Sequence, residues 1–431
     1  MDKERTNNTP PLRFKGFEEE VVNCTEAQEI FEQISEKGYP ELPVLSASQE
    51  EGMIERGDSN RNITYKKESL VGYKKISPKQ FAIHLRSFQG GFAHSNREGI
   101  TSPAYTILGF KQQIHDDRYW KQLLMSKRFI WDLRKVTYGI RDGRSISVEE
   151  FFKSKLSFPS LPEQEKIGAF FKELDELIGA KEEELEKLRQ MKAALLEAMF
   201  PSDDVDSEIG GGKSLILSDL SDSLCVSTLP NTPRLRFRGF TEPWEKKKLG
   251  EVAEVVREKN ISNTSTTILT NSAEHGIISQ SEFFDHQVAS KENLSTYLLV
   301  RENDFVYNPR ISVTAPVGPI NRLQNIPIGV VSPIYMVFRT CGVSLLYLDY
   351  YFKTRLWHSF IQINGNTGAR GDRYSITDCV LMEIPIPFPS LPEQEKIGAF
   401  FREQDEGIAA VVEQIDKLKT MKQACLAQMF A

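Results

Sequence analysis

Phe158–Phe171 reads FPSLPEQEKIGAFF, and the same fourteen letters return at Phe388–Phe401, 230 residues later. Identity over that length at one spacing marks an internal duplication. The copies continue more loosely to Met199-Phe200 and Met429-Phe430. A second echo opens each half. Thr9-Pro10-Pro11-Leu12-Arg13-Phe14-Lys15-Gly16-Phe17 is answered by Thr232-Pro233-Arg234-Leu235-Arg236-Phe237-Arg238-Gly239-Phe240, at a period of 223. The ends of the halves are nearly fixed and their middles have diverged, a pattern expected of one scaffold holding two different surfaces.

Behind each copy the sequence predicts a long helix. Ser160-Leu161-Pro162-Glu163 and Ser390-Leu391-Pro392-Glu393 fit a capping box, with Ser as N-cap, Glu three residues on and Pro in the first turn. Apolar positions then step alternately by four and three, the seam of a coiled coil. They are Ile167, Phe171, Leu174, Ile178, Leu185, Leu188 and Leu195 in the first copy, and Ile397, Phe401, Ile408, Val411, Ile415 and Leu418 in the second. Lys181, Lys192, Gln404 and Lys422 interrupt the seam and are expected to fix register at some cost in stability. Some 40 helical residues make a rod of about 60 Å. Neither rod buries its seam alone, so the two are expected to pack on each other as a pseudo-two-fold antiparallel pair.

The middles, residues 18–157 and 241–387, carry short β-rich runs at matching places. Phe81-Ala82-Ile83-His84-Leu85 corresponds to Phe305-Val306-Tyr307-Asn308-Pro309, and helical patches follow at Tyr119–Lys135 and Tyr347–Ile363. One departure stands out: Trp244 follows Gly239-Phe240, whereas Gly16-Phe17 leads into an acidic, helix-like stretch without Trp. The fold class is therefore α+β: two globular mixed α/β domains separated by two long helices. The segments are 1–158, a helical region 159–200, a linker 201–231, 232–388, and a helical region 389–431. Gly210-Gly211-Gly212-Lys213-Ser214 in the linker is no phosphate loop, because Ser207 stands where the motif needs Gly and no hydrophobic strand precedes it.

The chain has 431 residues, enough for two to four domains, and a net charge of −6. Residues 160–200, 201–231 and 390–431 are net acidic by 4, 5 and 2 charges, which leaves the diverged domains together at +5. That excess is compatible with DNA contact. No apolar run approaches the roughly 20 residues of a membrane span, and the polar start MDKERTNNTP does not read as a signal peptide. Five cysteines without metal-ligand spacing point to free thiols and a cytoplasmic protein.

With LPEQEKIG-type helices duplicated behind PxLRFxGF starts, the chain resembles the specificity subunit of type I restriction–modification enzymes, over essentially its whole length. The resemblance implies a non-catalytic protein with two target recognition domains, each reading one half of a bipartite double-stranded DNA target. The helices would set the gap between the halves and dock two methyltransferase subunits that use S-adenosylmethionine to modify adenine N6. Restriction subunits using ATP and Mg would complete the nuclease. No cofactor is expected in this chain, no catalytic or metal-ligating residue, and no membrane partner.

Phosphate contacts call for Lys, Arg and small polar groups, and base readout for Arg, Lys, Asn or Gln at a base edge. In the first domain the stretch Arg86–Arg97 is the best candidate, through Arg86, Ser87, Gln89, His94, Asn96 and Arg97, with Lys66, Lys67, Lys74 and Lys75 as phosphate contacts. The matching place in the second holds Asn308, Arg310, Ser312 and Thr314. A further pair of turns holds Arg141 and Arg144 in the first half and Arg370, Arg373 and Tyr374 in the second. Solvated basic turns are the plain alternative for any one of them. Two other functions compete. A DNA methyltransferase with its own reader would need Asn or Asp before Pro-Pro-Tyr, and Ser102-Pro103-Ala104-Tyr105 and Ser332-Pro333-Ile334-Tyr335 are only near misses. A coiled-coil adaptor would bind proteins alone.

Overall fold

The computed structural model describes residues 10–48, 51–55, 67–84, 91–133, 137–138, 145–201, 223–227, 232–283, 291–367 and 371–430. The chain forms two compact units, Met1–Glu183 with Val412–Ala431, and Glu184–Val411. The five consecutive segments expected from sequence are thus regrouped. Each unit takes one globular domain together with the start of one long helix and the end of the other, because antiparallel helices place those ends side by side.

In the first unit an antiparallel four-stranded sheet runs in the order Phe31–Ile34, Thr106–Phe110, Phe81–Ile83, Phe92–His94. The second unit has the same sheet in the same order, Ala253–Val256, Met336–Thr340, Phe305–Tyr307, Ile320–Arg322. The central strands are short apolar runs buried throughout, as in Phe81-Ala82-Ile83 and Phe305-Val306-Tyr307. Phe31 anchors the first core, stacked on Phe110 at 5.2 Å and edge-on to Trp120 at 5.2 Å. Separate two-stranded pairings, Asn23–Glu26 with Lys155–Phe158 and Glu245–Lys248 with Pro385–Phe388, tie the start of each domain to the strand that leads into its helix. The acidic stretch after Phe17 is therefore not helical before Glu26. Glu18 closes a turn by accepting from the Gly16 amide at 2.8 Å, and Glu20 accepts from the distant Ser160 hydroxyl at 2.5 Å. Each helical patch is broken in two: Asp117–Met125 and Lys127–Asp132, then Leu345–Lys353 and His358–Asn364. Ser126 makes the first break by capping the following turn through the Phe129 amide.

The long helices run Leu161–Met199 and Leu391–Met429, 39 residues each, or about 58 Å. Ile167, Phe171, Leu174, Ile178 and Leu195 are buried, as are Ile397, Phe401, Val411 and Ile415. Leu185, Leu188, Ile408 and Leu418 are half-buried between exposed neighbours. In the first unit Lys422 pairs with Asp175 at 2.5 Å and Lys419 with Glu182 at 2.6 Å, so the two helix segments run antiparallel. In the second unit Lys192 pairs with Asp405. Asp175 and Asp405, like Lys192 and Lys422, are 230 residues apart, so the two ion pairs are one contact made twice with the helices exchanged. Burial raises the Asp405 carboxyl, but hydrogen bonds from Lys192 and Tyr350 outweigh it and hold the group below its ordinary range.

Several letters of the duplicated stretch make the same contact in both units. Glu163 accepts from Arg13 through both oxygens, and Glu393 from Arg236 at 2.7 and 2.9 Å. The expected capping box is thus replaced: these glutamates reach across to the arginine of the opening echo and not back to Ser160 or Ser390. Gln164 and Gln394 each take a backbone N–H, from Asp116 and Ser344, and donate to the carbonyls of Pro159 and Pro389. Gly168 and Gly398 let the domain's first helix touch the rod, since a Cβ would lie 3.0 Å from the Tyr119 nitrogen in one and 3.1 Å from the Tyr347 nitrogen in the other. Phe170 meets Phe14 and Phe400 meets Phe237, both edge-on. The residue just past each helix end closes the cycle. Phe430 packs on Tyr119 and Phe171, and Phe200 on Tyr347 and Phe401.

Candidate nucleic-acid interface

In the second unit two predicted turns come together. The loop after Phe305–Tyr307 is joined to the turn at 371–374 by a backbone ladder: Ile311 N–H donates to Asp372 O at 2.9 Å, and Tyr374 N–H to Pro309 O at 2.9 Å. The ladder sets Arg310 directly opposite Arg373. Like charges facing across a strand pair repel, and an anion between them would turn that repulsion into binding. Arg310 is exposed, and its guanidinium makes no hydrogen bond to another described residue. Arg373 lies 3.5 Å from its neighbour Asp372. Beside them Ser312 and Thr314 expose hydroxyls 3.3 Å apart, and Val313 between them is fully exposed. Tyr374 leans its ring over Gly365.

A polar strut holds this loop. Asn308 is buried, donating its amide to Asn271 O at 2.9 Å and accepting from Arg310 N–H at 3.0 Å, so its side chain faces the protein and not the surface. Asn271, 2% exposed, donates to Val306 O at 2.6 Å and accepts from Asn321 at 2.7 Å. Gly318, at φ +85°, closes the loop where a Cβ would lie 2.1 Å from Asn308 O. Asn271 and Asn321 were not singled out in the sequence. The available signal was an Asn at the inner end of a strand-like run, a place where an amide is retained only if it is bonded.

The first unit departs from expectation in one respect. Arg86–Arg97 is not one loop, because the buried strand Phe92–His94 runs through it and separates its two ends. Arg86, Ser87 and Gln89 belong to the end that lies outside the described residues, as do Lys66, Arg141 and Arg144, and Arg370 of the second unit. The Lys67 side chain is likewise undescribed. At the start of the described strand, a Cβ on Gly91 would lie 2.2 Å from Ile146 Cδ1. At the other end His94 Nε2 is 2.8 Å from Asp117 Oδ2, Asn96 is exposed, and Arg97 reaches Glu55 at 3.5 Å. Lys75 pairs with Glu98 at 2.9 Å over the Tyr39 ring, and Lys74 donates to Tyr105 O at 2.6 Å. Burial, helped by Lys37, lowers the Lys74 ammonium below its ordinary value. These bases are engaged internally, in contrast to Arg310.

Residues 241–420 match the family described as "Type I restriction modification DNA specificity domain". Over those residues the chain is similar to a type I specificity domain. The matched residues include the Arg310 loop and most of the second long helix. No curated protein matches the sequence. Among solved structures, the type I restriction–modification S subunit from M. genitalium superposes with a TM-score of 0.54 at 12% identity, covering 98% of this chain and 99% of that one. A chain of a type I R-M system, described for its complex assembly and conformational transition, superposes with a TM-score of 0.51 at 15% identity, covering 95% and 97%. The fold is that of the specificity subunits along the whole chain. Among the described residues no helix is long and apolar enough to cross a membrane.

The exposed arginine of the second unit gives a direct test. Arg310→Ala is expected to weaken duplex binding by the assembled complex by about 1–3 kcal/mol. Titration by fluorescence anisotropy at several salt concentrations reads the effect. A loss equal on all sequences with a shallower salt slope assigns Arg310 to phosphate, and a relaxed preference assigns it to a base. Unchanged affinity would remove Arg310 from the interface.

Proposed function

We propose that this chain is the DNA sequence-specificity subunit of a type I restriction–modification system, and that it is not itself a catalyst. The carrying observation is the specificity-domain match to residues 241–420, in a chain whose other half repeats the same sheet order and the same helix contacts. Two domains of one fold with different loops are suited to reading two different half-sites. In the second half the reading surface is the Arg310 and Arg373 turn pair with Ser312 and Thr314; in the first it is the turns that match them in sequence and include Arg86 and Arg141. The paired helices set the distance between half-sites and receive two methyltransferase subunits. S-adenosylmethionine belongs to those partners, and ATP and Mg to the restriction subunits.

Exchange of residues 241–387 for the corresponding domain of another specificity subunit tests the modular reading. Methylation-sensitive sequencing of DNA from cells carrying the chimera is expected to show one half-site changed and the other kept. A change in both half-sites, or in neither, contradicts it. The purified chain alone is expected to transfer no methyl group until the methyltransferase subunit is added.

A further inference from the structure

The two units differ at one place inside their shared architecture. The matched strand pairs, Asn23 opposite Phe158 and Glu245 opposite Phe388, set Val22 where the second unit has Trp244. The matched helices Asp117–Met125 and Leu345–Lys353 set Tyr119 with Tyr347, and Leu123 with Tyr351. In the second unit Trp244 is 4% exposed, lies edge-on to Tyr347 at 6.2 Å, and donates its indole N–H to Glu393 Oε2 at 3.2 Å. Tyr351 is buried beside it and donates its hydroxyl to Pro385 O at 2.7 Å. In the first unit both bulky groups are missing, and a cavity of about 280 Å³ stands there. Val22, Tyr119, Leu123, Glu163, Ile167 and Phe430 are among the residues that line it.

The cavity is shaped for a particular chemistry. Its apolar lining, with Tyr119, Leu123, Ile167 and Phe430, is joined by the charged Arg128, Asp132 and Lys155. Its one carboxylate acceptor with a known counterpart is Glu163, 1% exposed on its side chain and bonded among the described residues to Arg13 alone, whereas Glu393 accepts from Arg236 and from an indole. A cavity of about 150 Å³ already takes up benzene. We propose that the cavity of the first unit is a binding site for a planar aromatic ring carrying an N–H donor, an indole type of ring, which occupies in trans the place that Trp244 fills in cis. The ring lies edge-on to Tyr119, as Trp244 does to Tyr347, and donates to Glu163. The inference stands on the geometry of the first unit and does not depend on the DNA-reading assignment.

The test uses the full chain with 5-fluoroindole, followed by ¹⁹F NMR line broadening and by the shift of the unfolding midpoint with unlabelled indole. Saturable broadening and an upward midpoint shift are expected at about 1 mM ligand, the affinity range open to so small a ring. Benzofuran, the same shape without the N–H, is expected to bind at least fivefold more weakly. Equal binding of the two would overturn the role given to Glu163. Val22→Trp grafts the second unit's own plug and is expected to raise the midpoint and abolish uptake. Leu123→Tyr fills the cavity from the other wall and serves if the first variant does not fold. N-acetyl-tryptophanamide separates the sources: uptake assigns the site to a tryptophan side chain, and exclusion with indole still bound assigns it to a free small molecule. No broadening with the wild-type chain, or uptake undiminished in both filled variants, would overturn the proposal.

Discussion

Glu393→Ala is expected to destabilise the second unit by about 3–5 kcal/mol, the cost of leaving a buried charge without its partner. Arg236 is 3% exposed and Glu393 1% exposed on their side chains. The carboxylate also holds the indole N–H of Trp244, so one deletion strands a guanidinium and a ring donor together. A domain is stable by only about 5–15 kcal/mol, which makes the loss a large share of the total. Hydrogen-exchange mass spectrometry gives a local reading and does not require the chain to unfold in one step. Protection is expected to fall in the peptides of Trp244 to Val256 and Met336 to Lys353. Replacing both members, Arg236→Met with Glu393→Leu, is expected to recover most of the loss, because the desolvation penalty goes with the charges. Full protection in the single variant would mean that the pair is not needed to hold the domain on its helix.

Phe430→Ala is expected to be as damaging, at about 3–5 kcal/mol, and to act on the first unit. Phe430 is 6% exposed and packs on Tyr119 and Phe171 at 5.4 and 6.1 Å. Its counterpart Phe200 makes the same contacts with Tyr347 and Phe401, so Phe200→Ala should transfer the defect to the second unit. Limited proteolysis with peptide mapping distinguishes them: new cuts between Asn23 and Phe158 for Phe430→Ala, and between Trp244 and Phe388 for Phe200→Ala. The same cleavage pattern from both variants would contradict the assignment of each ring to its own core.

Much of this architecture was legible in sequence because it is local and periodic. The seam positions could be found by counting fours and threes, and burial follows that count from Ile167 to Leu195 and from Ile397 to Leu418. What could not be read locally was the purpose of the duplicated letters. Glu163 at the third position of a helix invites a capping reading, yet its partner is Arg13, 150 residues away. The clue was that both echoes are duplicated together, so a contact between them survives duplication. In the candidate interface, the adjacency of the Arg310 loop and the 371–374 turn depends on a ladder between segments about 60 residues apart, which no local pattern encodes. The strand Phe92–His94 was missed because three residues are too short for alternation to register. Trp244 was visible as a departure, but its meaning required the hole on the other side.

The crossed ownership of the helix ends also orders events in time. The second core receives Leu195, Met199 and Phe200, which precede its domain in the chain, and so it has every piece once Phe401, early in its own helix, is made. The first core waits for Met429 and Phe430. Synthesis at about 5–20 residues per second puts some 10–50 s between the emergence of Phe200 and that of Phe430. Through that interval the domain made first stands open on the face that Met429 and Phe430 will close. The N-terminal half is therefore begun first and finished last, and a ribosome stalled late in the message would leave a complete second domain beside an unsealed first one.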